Sequence, residues 1–187
     1  ISIVMKVLEI TPKTDESIFY EISILHKLSL KKTIASTFSF KRLSKIYQFL
    51  VTNKIFKIIV AIEDNKIVGC LSYKYTNILW KPNMLLVLFA HSLVGIISHP
   101  FTWFIESYYK IGLYKNVKSK VNIVTLFVDN EYQNKKIGHV LVNKIIERYK
   151  NDISVDTRAE NIEAIKFYKK NGFKTVKENS KNVVLLY

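Results

Sequence analysis

One apolar octet, followed at once by a polar turn and an amphipathic helix, limits what this chain can fold into more than any other feature. Val121–Val128 reads V-N-I-V-T-L-F-V, a short apolar run suited to a buried strand. Residues 129–136 are polar and turn-like. Beyond them Ile137, Leu141, Ile145 and Tyr149 fall on one helical stripe, flanked by Val142 and Ile146, and this spacing predicts a helix with one buried face. The helix start places several backbone N–H groups beside Gln133, Lys135 and Lys136. Unpaired amides and the positive end of the helix dipole both favour an anion such as phosphate.

Two segments within residues 121–173 carry a family resemblance. Q-N-K-K-I-G at 133–138 resembles the Q/R-x-x-G-x-G/A coenzyme A pyrophosphate loop of the GNAT-superfamily N-acetyltransferases. N-I-E-A-I-K-F-Y-K-K-N-G-F at 161–173 resembles that family's second signature, N-x-x-A-x-x-x-Y-x-x-x-G-F. Each motif alone is weak. In this order, with a strand at 153–157 between them, they are specific, and they cover about a third of the chain.

The resemblance implies a GNAT-like α/β fold: a mixed, mostly antiparallel central sheet with helices on both faces. It implies acetyl-CoA as co-substrate, a primary amine as acceptor and direct attack in a ternary complex, with no metal. The amides of Gln133, Asn134, Lys135, Lys136, Ile137, Gly138 and His139 would hold the pyrophosphate. The backbone of Phe127 and Val128 would pair with the pantetheine arm. Tyr168 would serve as general acid to the departing thiolate, and Asn161 would touch the cofactor. Asn161 also has a plain structural reading as a helix N-cap, Tyr168 as a packing residue beside Ala164 and Ile165, and Gly172 as a helix C-cap. Lys136 departs from the family pattern, which has glycine there. A lysine serves if its backbone is helix-like; a positive φ would strain it.

The 187 residues suffice for a single domain with a real core, and we expect one over 1–187. A net charge of +14 favours anionic partners, but the lysines are spread along the chain and no basic block stands out. With no helix-turn-helix, zinc or RNP motif in view, no nucleic-acid partner is expected. The lone cysteine, Cys70, rules out an intrachain disulfide and suits a reducing, cytoplasmic setting. Its apolar strand makes it a core residue and not a nucleophile. The opening I-S-I-V-M-K lacks a charged segment leading into a long apolar run, so no secretory leader is expected.

Taken in order, residues 3–10 read as a first strand. Thr11, Pro12, Thr14 and Asp15 break it and offer caps. Ile18, Phe19, Ile22, Leu25 and Leu28 form a helical stripe, and Leu43, Ile46, Tyr47 and Leu50 a second one over 41–52; in the resembling family this helix pair lines the acceptor site. Residues 57–62 and 66–75 read as a hairpin around Glu63, Asp64 and Asn65, which makes Glu63 and Asp64 solvated turn residues and not a catalytic pair. Strands at 174–177 and 182–187 close the chain.

Between the third and fourth strands, residues 82–118 form a helical insert whose charge-free run from Pro82 to Ile105 is long enough to raise a membrane helix. A single crossing would separate strands of one sheet, so two buried or amphipathic helices split near Pro100 are expected. Three roles compete for them: packing on the core or a homodimer face, an acceptor-site lid, and peripheral membrane contact through 82–112. The general base is not identified among Glu21, His91, His99 and Glu106. The leading function is N-acetyl transfer to a small-molecule or amino-sugar amine, with a protein amine as a further acceptor class; the alternative is a catalytically inactive binding or regulatory module on the same fold.

Overall fold

The computed structural model describes residues 5–31, 33–76 and 117–187. Its elements are β1 (Lys6–Ile10), α1 (Glu16–Ser29), α2 (Phe40–Thr52), β2 (Lys57–Glu63), β3 (Lys66–Tyr75), β4 (Val121–Val128), α3 (Ile137–Tyr149), β5 (Ile153–Arg158), α4 (Ile162–Lys170), β6 (Lys174–Glu178) and β7 (Asn182–Leu186). Short 3-10 turns lie at Ile34–Thr37 and Asn130–Tyr132. The strands form one seven-stranded sheet in the order β1-β2-β3-β4-β5-β7-β6. Every neighbouring pair is antiparallel except β4 and β5, which run parallel. This is the mixed, mostly antiparallel sheet expected from the sequence.

Local chemistry explains where the elements begin and turn. Asp15 caps α1 by accepting from the Ser17 amide at 2.8 Å, and Ser39 caps α2 through the Arg42 amide. The β2–β3 turn is tighter than the sequence reading. Glu63 pairs with Lys66 as the last residue of β2, which leaves Asp64 and Asn65 as a two-residue loop, both with positive φ. That is the turn whose twist matches a hairpin.

Helices cover both faces of the sheet. Phe19, Ile22 and Leu25 of α1 and Leu43, Tyr47 and Val51 of α2 pack with Ile58, Val60, Cys70 and Phe127 on one face. Ile137, Leu141, Val142 and Ile145 of α3 and Tyr168 of α4 pack with Ile59, Ala61, Leu71 and Ile123 on the other. The alternation of strand residues between two apolar faces is the period-2 rule at work. One expected member of the α1 stripe is misplaced: Leu28 is 55% exposed, and the buried position one turn beyond Ile22 is taken by His26. Apart from Val117 and Lys118, the expected insert at 82–118 lies outside the described residues. Among the described residues no helix is long and apolar enough to cross a membrane.

α3 sits close to the sheet because β3 offers no side chain beneath its first turn. A Cβ built on Gly69 would come within 2.7 Å of Ile137 Cγ2 and 3.2 Å of Leu141 Cδ1. Ile137 is β-branched and anchored in the core, so it cannot swing aside cheaply. Gly69→Ala should therefore lower the unfolding free energy by about 1–3 kcal/mol, the range for overpacking. Urea denaturation checks this, and an unchanged midpoint would mean that α3 can retreat from the sheet.

Candidate functional site: the cleft between β4 and β5 and the loop that opens α3

β4 and β5 pair at only three positions, from Val121 opposite Ile153 to Ile123 opposite Val155. Beyond Ile123 they part. On its other side β4 remains paired with β3, where the register skips one residue: Ser72 faces Thr125 while Tyr73 faces Ile123. Val124 is thus a bulge, a device that bends and twists a strand. The edge of β4 from Thr125 to Val128 is left facing a cleft whose opposite wall is the far end of β5.

The loop 129–136 closes one end of that cleft. Asp129 caps its 3-10 turn through the Glu131 amide at 3.1 Å and is anchored to Lys66 by a 2.8 Å ion pair. The Lys66 ammonium holds the Asp129 carboxyl below the usual carboxylate range, and the carboxylate in turn raises Lys66. Lys135 stacks its ammonium 4.2 Å from the Tyr132 ring centroid, on a ring that also has Lys66 at 5.6 Å. Asn134 and Lys136 both have positive φ, at 64° and 62°. Lys136 is the N-cap residue of α3, and its side chain makes no capping bond. The first α3 amide engaged by a backbone carbonyl is that of Val140, bonded to the Lys136 carbonyl at 3.0 Å. Among the described residues the amides of Ile137, Gly138 and His139 have no backbone partner, as at any uncapped helix start.

This corrects one expectation. Lys136 does not adopt the helix-like backbone that would suit a lysine; it keeps the left-handed conformation that glycine adopts most easily. The result is a concave run of free amides beside exposed Lys135 and Lys136, a donor set that fits an anionic group such as a pyrophosphate. Gly138 adds room. A Cβ there would lie 3.3 Å from the Phe167 ring, so the smallest residue sits where α3 passes α4.

The other sequence candidates are placed as follows. Phe127 buries its ring against α1, 5.1 Å from the His26 ring, so only its backbone faces the cleft edge. The Val128 carbonyl accepts from Ser29 Oγ at 3.2 Å, which leaves one lone pair for any further partner. Gln133 donates to Asn130 Oδ1 at 2.9 Å. His139 turns its ring to α4, bonding Asn171 Oδ1 through Nδ1 and accepting from Asn143 Nδ2 at 3.1 Å; only its amide remains for the loop. Asn161 Oδ1 accepts from the Ala164 amide at 3.1 Å and caps α4.

Tyr168 projects from α4 with its ring edge-on to Phe167 and Phe173. Burial, with the nearby Asp156 charge, pushes its phenol well above the ordinary tyrosine value. Its hydroxyl has no hydrogen-bond partner among the described residues. No fully buried polar side-chain atom lacks a partner there, so the hydroxyl reaches an open surface. Cys70 is buried and its thiol is pushed up by burial, which confirms it as a core residue. Of the candidate bases, Glu21 is exposed on α1, while His91, His99 and Glu106 lie outside the described residues. Among the described residues no group of three or more His, Cys, Asp and Glu side chains is gathered as a metal site.

With this geometry in hand, comparison with known proteins is decisive for the family. The model described as the acetyltransferase (GNAT) family matches residues 27–173. The chain belongs to that family. Solved structures agree in fold. An acetyltransferase from Thermus thermophilus is 12% identical with TM-score 0.63, covering 98% of this chain and 96% of that one. NAA60 from Arabidopsis thaliana, in complex with acetyl-CoA, is 13% identical with TM-score 0.60 and 98% coverage of both chains. An aminoglycoside acetyltransferase from an uncultured soil metagenomic sample is 20% identical with TM-score 0.60, covering 94% of this chain and 91% of that one. Curated proteins offer no match by sequence.

Sequence reading missed a polar group on the α1–α2 side of the cleft. His26 is 2% exposed, with Nδ1 2.5 Å from the Tyr47 hydroxyl and Nε2 3.3 Å from Thr33 Oγ1. The signal was present: a histidine four residues after Ile22 and seven after Phe19, on an otherwise apolar stripe.

Two measurements follow from this geometry. Burial lowers His26 from 6.5 to about 4, and the titratable groups facing it are Tyr47 and, behind Tyr47, Cys70. The folded state holds the imidazole neutral while the unfolded chain protonates it, so stability is full above pH 6.5 and declines toward pH 4. The loss over that window should be about 3 kcal/mol, read as the change in urea-unfolding free energy. The second concerns the loop. Lys136→Gly should be about 1 kcal/mol more stable than Lys136→Ala, because a left-handed position favours glycine. A helical backbone there would reverse the order, so thermal denaturation of the pair decides the conformation.

Proposed function

We propose that this protein is an N-acetyltransferase that moves an acetyl group from acetyl-CoA to a primary amine within a ternary complex. The observation that carries the reading is the run of free amides from Ile137 to His139, opened by left-handed Lys136 and set at the mouth of the β4–β5 cleft. Family membership and the acetyl-CoA complex of its structural relative NAA60 support it. In this reading Gln133 to His139 hold the pyrophosphate, the backbone of Phe127 and Val128 pairs with the pantetheine arm, and Asn161 touches the cofactor while capping α4.

Acetyl-CoA would supply an activated thioester carbonyl. The chain's own contribution is to hold it beside a neutral amine and to serve the leaving sulfur. As the amine attacks, the C–N bond forms and the C–S bond breaks; the amine proton passes to solvent and the thiolate takes a proton in turn. An alkyl amine has a pKa of about 10.4, by analogy with lysine, and must shed its proton before attack. Tyr168 is the donor to sulfur. Because its phenol lies above the ordinary value, it stays protonated, and its hydrogen bond strengthens as charge develops on sulfur. The acceptor we favour is a small-molecule or amino-sugar amine; relatives of this fold include an aminoglycoside acetyltransferase. The single cysteine, reduced and buried, suits a cytoplasmic enzyme.

Lys136 is the one feature that favours the alternative, a binding module with a weakened cofactor site. A thermal-shift titration with acetyl-CoA separates the two, since a ligand at a hundredfold over its Kd adds about 2.7 kcal/mol. Binding followed by CoA release in the presence of spermidine, glucosamine or a tetrapeptide with a free amino terminus supports the enzyme. Binding without release supports the module. Tyr168→Phe should lower kcat by roughly 10²-fold with acetyl-CoA affinity nearly unchanged; wild-type turnover would remove Tyr168 from the chemistry.

A further inference from the structure

The polar group around His26 forms a thread with a fixed direction. Thr33 Oγ1 donates to the Leu30 carbonyl at 3.1 Å and accepts from the Ser36 amide at 3.2 Å. Its one proton is thereby spent, so toward His26 it can only accept, and the 3.3 Å contact requires the proton on His26 Nε2. Nδ1 is then the bare nitrogen, and the Tyr47 hydroxyl, 2.5 Å away, must donate to it. With its proton committed, the Tyr47 oxygen can only accept from its next polar neighbour, the Thr125 side chain, whose hydrogen bonding holds the phenol down against the effect of burial. Thr125 Oγ1 in turn lies 2.7 Å from Ser72 Oγ, and with its own proton turned to Tyr47 it accepts there.

The two ends of this thread lie in functional places. At one end Thr33 caps the 3-10 turn that joins α1 to α2. At the other, half-buried Thr125 is the first β4 residue past the bulge. It lies beyond the last position that β5 covers and on the same sheet face as Phe127. The middle, His26 and Tyr47, is sealed in an apolar cluster. A purely apolar core would pack this helix pair without the desolvation cost of two buried polar groups.

We propose that Tyr47 and His26 are positioning residues that lock the Thr125 hydroxyl as a hydrogen-bond acceptor at the cleft, where it orients the acceptor amine. A threonine oxygen accepts two hydrogen bonds. With its proton directed inward to Tyr47 and one bond taken from Ser72, it presents one lone pair outward. An amine N–H donated to that lone pair aims the nitrogen's own lone pair away from Thr125, into the cleft. Thr125 takes no proton; it selects the attacking geometry. The inference rests on the acetyltransferase reading above and deepens it on the acceptor side.

The test compares wild type with Tyr47→Phe, which keeps the ring and removes the hydroxyl, and with the pair Thr125→Ser and Thr125→Val. CoA release is measured with spermidine, glucosamine and a tetrapeptide with a free amino terminus, and acetyl-CoA affinity by thermal shift. Tyr47→Phe and Thr125→Val should each lower kcat/KM for the amine by about tenfold or more while the acetyl-CoA affinity stays within about twofold. Thr125→Ser, which keeps the hydroxyl, should retain most of the activity. A role confined to stability would lower melting temperature and leave that split absent. If wild type turns over an amine and Tyr47→Phe or Thr125→Val leaves its kcat/KM unchanged, or if Thr125→Ser fails as badly as Thr125→Val, the inference is overturned and the enzyme reading stands. If wild type binds acetyl-CoA and releases no CoA with any of the three amines, the enzyme reading fails and this inference falls with it.

Discussion

Two neighbouring strands that run parallel cannot be joined by a hairpin; the chain must cross over from the end of one to the start of the next, and a helix is the usual carrier. In this protein only β4 and β5 are so related, and α3 is the crossover. Its N-terminus must therefore open at the C-terminal end of β4, wherever that end lies. The free amides of Ile137, Gly138 and His139 are placed by this requirement. They stand at the mouth of the cleft because a parallel pair offers nowhere else for the helix to begin, the same logic that places ligands at strand ends in open α/β sheets.

The cleft itself needs a second departure from regularity. Parallel pairing that continued past Ile123 would have closed it. The bulge at Val124 turns β4, and on the far side of β5 the chain is held by antiparallel pairing to β7 from Ser154 to Arg158. β4 keeps its partner β3, β5 keeps its partner β7, and the strain of twist is released between them. Gly69 makes the arrangement compact by letting α3 settle on β3 with its first turn in contact. Each of these devices is a local exception to uniform sheet geometry, and each borders the same opening.

The α1–α2 face serves a different purpose. Its cluster is as apolar as the α3 face except for the His26–Tyr47 pair, whose hydrogen bonds are fully assigned by the saturation of Thr33. The single direction of that network couples the connection between α1 and α2 to the exposed reach of β4. A network with every member satisfied confers a unique arrangement in a way that apolar packing alone does not.

By itself the sequence determined the element order, the hairpin at Asp64 and Asn65, the helix caps at Asp15 and Asn161, and the loop and helix motifs around Gln133 and Tyr168. These depend on periods, turn residues and caps within a few positions of one another, and such rules are local. Tertiary structure decided what depends on register and on neighbours distant in the chain. It set the left-handed backbone at Lys136, a conformation that no lysine announces. It set the bulge at Val124, visible only against β3, and the turning of the His139 ring toward Asn171. It also replaced Leu28 by His26 on the buried stripe: spacing allowed either residue to face inward, and only the hydroxyls of Tyr47 and Thr33, 21 and 7 positions away, made the histidine the better occupant.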